Sequence, residues 1–265
     1  HRLWARMMGF AFIIPFVIFW FLGMVDKAIS RKLGIVIFFA GLAALFGWIM
    51  VASGLIERPW VNAYKLSIHL SIGIAVFLSL LWVILECFYK ERWTKLSLNS
   101  GRWRSFLLAF FILLCIQIIL GGIVSGMRAA LAFPTWPDMN GSFIPEVLLD
   151  NRNWAWNNLA SYESSSFAPA LFQFLHRNTA YLITIISLVF FYRFLKIDGH
   201  DVFNYIIFIF FGLLGFQIVL GVLTLVNALG SIPVILGVLH QDVGVLLLAS
   251  FFTLLYAFRT GTKAN

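Results

Sequence analysis

Seven long apolar runs dominate the 265-residue sequence and limit it to a small set of folds. Hydrophobic residues make up 62% of the chain and charged residues only 11%, against about 25% charged in an ordinary soluble domain. A helix that crosses a bilayer needs about 20 apolar residues and satisfies its own backbone hydrogen bonds in lipid. The composition therefore predicts an all-α polytopic membrane protein. It excludes a soluble globule, a disordered chain and a disulfide-rich secreted domain.

The apolar runs predict seven transmembrane helices. Their expected bounds are residues 8–25, 33–55, 64–89, 106–127, 168–195, 205–229 and 232–258. Cys87 and Cys115 both lie inside these runs, which predicts neither a structural disulfide nor a thiolate metal site. The sequence does not begin with Met, and its first apolar run starts almost at once. We therefore expect a further helix before His1, which would make eight.

Basic residues cluster in alternate loops and set the expected orientation. Twelve of the 19 lysines and arginines fall in the first, third and fifth connections and in the C-terminal tail. Because Lys and Arg favour the cytoplasmic side, these segments are predicted inside, with His1 outside and Asn265 inside. The net charge of +8 thus reflects membrane topology rather than nucleic-acid binding. The long connection at residues 128–167 is then outside, and its length and Trp and Pro content predict an ordered cap.

Histidines mark an internal repeat, the most informative pattern in the sequence. Two pairs of equivalent positions carry histidine, and they are His1 with His176 and His69 with His240. The separation within each half is 68 residues in the first and 64 residues in the second. The repeat predicts that the two halves build the same kind of histidine site.

The repeat extends to other residues and predicts how the chain divides. The fourth and sixth spans share Gln-Ile-x-Leu-Gly, at residues 117–121 and 217–221. We expect two pseudo-symmetric four-helix bundles, of which seven helices are present. The first is a truncated N-terminal half at residues 1–100, and the second is a C-terminal half at residues 101–265.

All four histidines are predicted near the outer ends of helices that run inward. His69, His176 and His240 are each expected about six or seven residues into the span, which at 1.5 Å per residue is roughly 10 Å deep. Two imidazoles that face each other between helices suit axial ligation of a haem iron. Gly73 and Gly244, one turn after His69 and His240, are predicted to leave room for the porphyrin plane.

Simpler explanations compete with haem ligation. A single histidine in a membrane helix commonly packs or donates a hydrogen bond, and glycine at i+4 commonly serves helix packing. Four histidines at repeated positions and equal depth are harder to explain in that way. Zinc is disfavoured because no acidic residue or cysteine accompanies each pair at zinc-ligand spacing. His200, in a hydrophilic inner loop, is interpreted as solvated.

Polar residues near the histidines have competing interpretations. Arg2 and Arg177 each follow a histidine directly, and either bind haem propionates or extend to lipid headgroups. Asp242, inside the last span, either orients a ligand or faces the outer water. Gln117 and Gln217 are interpreted as interhelical hydrogen-bonding residues rather than as chemical groups.

Six segments, taken in order, resemble the heme A synthase family in its alphaproteobacterial and mitochondrial form. They are residues 1–6, 42–55, 64–70, 121–145, 174–177 and 239–241, and they include a Pro-Thr-Trp-Pro-x-Met-x-Gly loop. The resemblance covers nearly the whole chain. It implies an oxidoreductase with eight transmembrane helices in two four-helix bundles. Such enzymes oxidise the C8 methyl group of haem O to a formyl group, giving haem A for cytochrome oxidase.

The resemblance also implies separate roles for the two histidine pairs. His176 and His240 would ligate a haem b as cofactor, whereas His1 and His69 would be the catalytic pair that binds the substrate haem O. The family places a functional Glu shortly before the first histidine, which is a position ahead of His1. Some members carry a cysteine pair in the outer loop of each half. The loop at 128–167 has none, as in the mitochondrial type.

The resemblance implies a bacterial plasma membrane or mitochondrial inner membrane, with the histidine sites toward the outer side and the C-terminus in the cytoplasm or matrix. Candidate partners are the bilayer, haem O synthase, an electron donor or acceptor and a second copy of the chain. Two other functions stay open, a non-catalytic di-haem b-type cytochrome that exchanges electrons with quinol and a transporter or receptor that uses histidines for protons. A di-haem carrier would place its haems near opposite surfaces, whereas both pairs are predicted near the same one.

Overall fold

A computed structural model describes residues 2–52, 60–89, 101–194 and 201–261 of the chain. Seven long helices, numbered α1 to α7, occupy most of these ranges. They are α1 (Arg2–Phe21), α2 (Lys27–Ala52), α3 (Ala63–Phe88), α4 (Gly101–Gly126), α5 (Phe167–Phe194), α6 (Asp201–Val226) and α7 (Val234–Gly261). Each helix is long and apolar enough to cross a membrane. The prediction of an all-α polytopic membrane protein is therefore confirmed.

The end of α1 is decided by a local hydrogen-bond pattern rather than by the end of the apolar run. The run continues to residue 25, but α1 ends at Phe21 because Gly23 takes a φ of +70°. The Gly23 amide donates to the Trp20 carbonyl at 3.1 Å, and the Met24 amide donates to the Phe19 carbonyl at 2.9 Å. These two bonds form a Schellman motif, which closes a helix with a glycine in the left-handed conformation.

Side-chain caps fix the starts of α2 and α3. The Asp26 carboxylate accepts a hydrogen bond from the Ile29 amide at 2.7 Å, so α2 begins at Lys27 rather than at residue 33. Polar residues ahead of the apolar run are thereby included in the helix. The Asn62 side chain accepts from the Tyr64 amide at 3.0 Å and caps α3 in the same way.

A core of phenylalanine rings packs α4, α6 and α7 together. Phe110, Phe210 and Phe251 are 5%, 1% and 0% exposed. The ring of Phe251 lies 4.9 Å from that of Phe110 and 5.4 Å from that of Phe210, measured between centroids. Phe251 comes eleven residues after His240, which is roughly 16 Å farther along α7. The aromatic core therefore lies well away from the histidine end of the helix.

Helices α3 and α4 cross closely near the start of α3. A Cβ built on Gly126 would lie 2.7 Å from Ala63 Cα, and one on Gly122 would lie 3.1 Å from Ser67 Cα. The Ser67 hydroxyl donates to the Ile119 carbonyl at 2.7 Å. A Gly-x-x-x-Gly spacing lets two membrane helices approach in this way. The predicted boundary between the halves at residue 100 lies outside the described residues, so that division stays a prediction.

The connection between α4 and α5 is folded. It contains two 3-10 turns and two short helices, at Ala129–Leu131, Asn151–Asn153, Glu146–Leu149 and Trp156–Ala160. Its Pro-Thr-Trp-Pro turn is closed by the Asp138 carboxylate, which accepts from the Thr135 hydroxyl at 2.6 Å and from the Gly141 amide at 3.2 Å. The Thr135 bond first and the Gly141 bond second lower the pKa of Asp138 below its ordinary value.

An ion pair joins three helices at the end opposite the histidines. Lys32 Nζ lies 2.9 Å from Glu86 Oε1, and the two side chains are 15% and 16% exposed. The Tyr256 hydroxyl donates to Glu86 Oε2 at 3.0 Å, and Lys32 Nζ lies 5.4 Å from the centre of the Trp82 ring. Lys32, which the charge pattern placed in an inner loop, is thus part of α2 and bound to α3.

Candidate metal centre

Two imidazoles face each other between α5 and α7. The ring centroids of His176 and His240 lie 6.5 Å apart, and the ring planes are nearly perpendicular, at 82°. An imidazole nitrogen binds a transition metal at about 2 Å, with the ring centre about 1 Å farther, so two axial imidazoles on one ion have ring centres about 6 Å apart. The pair therefore has the separation that bis-imidazole ligation of a single metal requires.

A glycine of a neighbouring helix supports each of these imidazoles from behind. A Cβ built on Gly121 of α4 would lie 3.1 Å from His176 Cε1, and one on Gly221 of α6 would lie 2.8 Å from His240 Cε1. Ordinary carbon contacts are about 3.5–4.0 Å. A residue larger than glycine at either position would overlap the imidazole. The two rings are therefore held between α4 on one side and α6 on the other.

The hydrogen bonds of His240 determine which of its nitrogens is available to a metal. His240 Nδ1 lies 3.1 Å from the main-chain carbonyl oxygen of Gln217, which can only accept, so Nδ1 carries the proton. The lone pair is then on Nε2. A metal-ligating histidine usually donates its other ring N–H to such an acceptor, which fixes the tautomer and the ring orientation.

His176 is held by a similar but incomplete set of contacts. Gln117 Nε2 lies 3.4 Å from His176 Nε2 and donates to the main-chain carbonyl of His176 at 3.1 Å. The buried Nδ1 atom of His176 has no hydrogen-bond partner. The Gln117 contact joins α4 to α5, so the interpretation of Gln117 as an interhelical hydrogen-bonding residue is confirmed. Its second contact, to the imidazole, was not anticipated.

The donor set and the surroundings suit a haem better than a structural metal ion. Across residues 2–52, 60–89, 101–194 and 201–261, no group of three or more His, Cys, Asp or Glu side chains could hold a metal ion. A two-imidazole set suits an iron whose equatorial ligands come from a porphyrin. The residues present therefore fit a haem held between α5 and α7.

In the first half, His69 of α3 repeats part of this arrangement. A Cβ on Gly47 of α2 would lie 3.1 Å from His69 Cε1, which matches the contact at Gly121. The buried Nδ1 of His69 has no partner, and Gly73 has nothing within 4 Å of an added Cβ. His1, the expected partner of His69, lies outside the described residues.

An apolar groove of about 270 Å³ lies between α2, α3 and α4. Three helices contribute its lining, which consists of Phe39, Ile68, Ser71, Ile72, Ala75 and Ile119. The hydroxyl of Ser71, the polar side chain in this lining, donates to the Ser67 carbonyl at 2.7 Å. The groove therefore suits a hydrocarbon group.

One known family matches nearly the whole chain. The COX15-CtaA family model, described as cytochrome oxidase assembly protein, matches residues 1–252. The chain belongs to this family.

Curated relatives carry the name heme A synthase. The protein of Pelagibacter ubique is 34% identical over 97% of this chain and 71% of its own length. That of Bradyrhizobium diazoefficiens is 33% identical over 94% of the chain and 65% of its own length. A third, from Flavobacterium psychrophilum, is 34% identical over 97% of the chain and 73% of its own length. The chain thus spans about two thirds to three quarters of the length of these relatives. The resemblance to the heme A synthase family is confirmed.

Arg177 holds the outer loop against α5. Its Nη1 donates to the Asp138 carbonyl at 2.7 Å and its Nη2 to the Phe133 carbonyl at 2.9 Å. Gln173 Nε2, one turn earlier, also donates to the Phe133 carbonyl at 2.9 Å. Arg177 is only 9% exposed, so the alternative of extension to lipid headgroups is wrong. A contact with haem propionates stays a prediction, and the buried Arg177 Nε without a partner is the atom free for it.

The remaining predicted site residues are placed as follows. Asp242 is exposed on α7. The side chain of Arg2 and all of His200 lie outside the described residues. His69 and His240 are the seventh residues of α3 and α7, whereas His176 is the tenth residue of α5, because α5 begins about one turn farther ahead of its histidine.

Sequence reasoning missed the glycines behind the imidazoles. Gly121 and Gly221 were visible as the last residue of the shared Gln-Ile-x-Leu-Gly, but glycine in membrane helices commonly serves packing. The glycine expected to make room for a porphyrin at residue 244 instead accommodates Gln217, whose Nε2 lies 3.0 Å from a Cβ built there. Only Gly73 opens onto free space as expected.

Proposed function

We propose that this chain oxidises the C8 methyl group of haem O to a formyl group and so forms haem A for cytochrome oxidase. The family match and the relatives named heme A synthase support this reaction. The observation that carries the proposal is the pair of facing imidazoles, His176 and His240, each resting on a glycine of a neighbouring helix. This arrangement suits a haem-handling membrane enzyme.

His176 and His240 would hold a haem b between α5 and α7, and that haem would supply one-electron transfer when bound. The chain's own residues orient the ligands. The Gln217 carbonyl keeps the His240 proton on Nδ1, and Gly121 and Gly221 fix the approach of the rings. The folded connection tied down by Arg177 covers this end of the bundle and limits the access of water.

His1 and His69 would bind the substrate haem O. The imidazole of His69 rests on Gly47, as the C-terminal pair rests on its glycines, and Gly73 leaves open space one turn farther along α3. The 270 Å³ groove between α2, α3 and α4 suits the farnesyl tail of haem O. Apolar walls without a free polar group favour this hydrocarbon tail, because burying hydrocarbon is favourable and costs no hydrogen bond.

The histidine end is proposed to face the periplasm or intermembrane space. Helices α3, α5 and α7 run in the same direction, since one helix separates each from the next, and His69, His176 and His240 all lie in their first ten residues. The three histidines therefore share one end of the bundle. A di-haem electron carrier needs haems near opposite surfaces, so this placement disfavours that alternative. Haem O synthase is the proposed supplier of substrate.

Haem analysis of purified variants tests the proposal. We expect His176→Ala and His240→Ala each to lose haem b, measured as the pyridine hemochrome with chromatography of the extracted haems. His69→Ala is expected to keep haem b and to stop haem A formation in cells that make haem O. His200→Ala is the matched histidine control, because the sequence places it in a hydrophilic segment, and it should behave as the parent.

The three outcomes separate the hypotheses. Haem b together with haem O or haem A in the parent supports the enzyme. Haem b alone favours a carrier, and no haem removes both. Normal haem A formation in His69→Ala would refute the assignment of the substrate site to the first half. Reporter fusions at Lys95 and Asn140 test the orientation, with Lys95 expected inside and Asn140 outside.

A further inference from the structure

The folded connection between α4 and α5 exposes large apolar side chains within a short stretch. Phe143 is 75% exposed, Leu149 is 65% exposed and Trp154 is 57% exposed. All three belong to the twelve residues 143–154, called here the apolar segment, which include the short helix Glu146–Leu149. Large apolar side chains exposed so close together on a folded segment indicate an interaction surface.

The inner side of the apolar segment packs on one face of α5. Leu148 is buried in an apolar cluster together with three residues of that helix. They are Phe167, Leu171 and Phe174, which follow one another at spacings of four and three residues. Residues at these spacings share one side of a helix. The segment therefore covers this side of α5 over its first two turns.

The same side of α5 is exposed farther along the helix. Leu182, Ile185 and Val189 are 48%, 60% and 51% exposed. At 3.6 residues per turn, their directions fall within about 40° of the direction of Leu171. Since α5 is long and apolar enough to cross a membrane, this exposed stripe faces lipid. The face that the apolar segment covers thus continues into the lipid-facing surface of the protein.

The length of α5 determines the level at which the apolar segment lies. Its 28 residues extend about 42 Å at 1.5 Å per residue, and a bilayer with its headgroups is about 40–45 Å thick. A segment that packs on the flank of the first two turns therefore lies within the headgroup layer. At that level, the outer side of such a segment meets lipid.

Several polar groups of the apolar segment are bound within the segment, which suits a poorly hydrated place. The Asn153 side chain donates to the Val147 carbonyl at 3.0 Å, and the Trp154 indole N–H donates to the Leu148 carbonyl at 2.9 Å. Carbonyls at the end of a short helix otherwise depend on water. Because its N–H is bound, Trp154 exposes mainly hydrocarbon, as tryptophan does at a membrane interface.

We propose that the apolar segment is a lipid-binding surface, with Phe143 and Leu149 immersed in the bilayer at the histidine end of the bundle. Segments that lie in a membrane interface bury their apolar side chains about 5–10 Å into the boundary between headgroups and acyl chains. The segment thereby anchors in lipid the same connection that Arg177 holds against α5. This lipid contact does not depend on which haem the histidines bind.

Spin labelling of the full chain in phosphatidylcholine nanodiscs, with no partner protein present, tests the proposal. A nitroxide is attached to Phe143→Cys or to Leu149→Cys, in a background that carries Cys87→Ser and Cys115→Ser. The collision rate with oxygen, relative to that with a water-soluble nickel chelate, measures the depth of each label. We expect both labels about 5–10 Å below the headgroup boundary. Helical circular dichroism equal to that of the parent is the control for folding.

Two further label positions calibrate the measurement. Ile185→Cys, on the lipid-facing stripe of α5, should give the highest ratio of oxygen to nickel collisions. Ser164→Cys, at an exposed serine that lines a cavity with Arg128 and Glu163, should give the ratio of open water. A ratio at Phe143→Cys or Leu149→Cys equal to that at Ser164→Cys would overturn the proposal. The exposed side chains would then be available to a protein partner instead of lipid.

Discussion

The contact between Gly221 and His240 gives the sharpest test of how the site is built. Replacing Gly221 with alanine places a methyl group 2.8 Å from His240 Cε1 and 3.3 Å from its Nδ1. An ordinary carbon contact is at least about 3.5 Å, so the imidazole must retreat by about 0.7 Å. Its Nδ1 is bound to the Gln217 carbonyl at 3.1 Å, so retreat also strains that bond. The ring therefore cannot move without loss.

The expected cost is that of overpacking a well-filled site, about 1–3 kcal/mol. If this cost falls on the ligated state, haem b binds about 5- to 150-fold more weakly, since about 1.4 kcal/mol is a factor of ten. Gly121→Ala should have a smaller effect, because its Cβ would lie 3.1 Å from His176 Cε1. The measurement is haem b per protein after purification, with the helical circular dichroism signal as the control for folding.

Gly215→Ala is the matched control on the same helix. Nothing lies within 4 Å of a Cβ at Gly215, so this change adds a methyl group without touching an imidazole. It should retain haem b, and the protein should gain up to about 1 kcal/mol of stability because alanine has the higher helix propensity. Equal haem b retention in Gly221→Ala and Gly215→Ala would refute the reasoning. A larger loss in Gly121→Ala than in Gly221→Ala would show that contact distance does not set the order.

Three further predictions concern the contacts around the site. Arg177→Lys should speed proteolysis of the 128–167 loop, because a lysine has a single nitrogen and lacks the planar fork whose two ends bind the Phe133 and Asp138 carbonyls, whereas Arg152→Lys, at an exposed side chain, should not. Glu86→Gln should lower the free energy of unfolding by about 1–3 kcal/mol, measured as a lower melting temperature, because it removes the negative partner of the largely buried Lys32 ammonium. Glu146→Gln, at an exposed side chain, should not. Thr135→Val should make the loop open at higher pH. The pKa of Asp138 is lowered chiefly by Thr135, so the carboxylate bonds persist above its ordinary pKa and are lost as pH falls through the lowered value. Pepsin cleavage of the loop across acidic pH measures this, and identical profiles for variant and parent would contradict it.

The sequence predicts the membrane architecture well, because every helix that crosses lipid must be a long run of apolar residues. Seven apolar runs yield seven helices, and histidines at repeated positions come to lie at one end of the bundle. Helix ends are less predictable, because a capping carboxylate at Asp26 and a left-handed Gly23 override the hydrophobic pattern. Both devices are visible in the sequence, but neither is set by the apolar run itself.

Contacts between distant segments account for what the sequence does not predict. Arg177 could be expected to bind any anion or acceptor, and only the folded loop shows that carbonyls 39 and 44 residues away take its donors. The shared Gln-Ile-x-Leu-Gly indicates a repeat but not that its glycine lies behind an imidazole and its glutamine beside one. Those contacts depend on the register between neighbouring helices, which a single sequence leaves undetermined.

Two consecutive glycines of α4 face in different directions, and this has a consequence for how three helices are spaced. Gly121 lies against His176 of α5, whereas Gly122 lies against Ser67 of α3. A Cβ at either position would lie within 3.1 Å of an atom of the neighbouring helix. One short segment of α4 therefore sets its distance from α3 and from α5 at the same time, and a larger residue at either glycine would push one of these helices away.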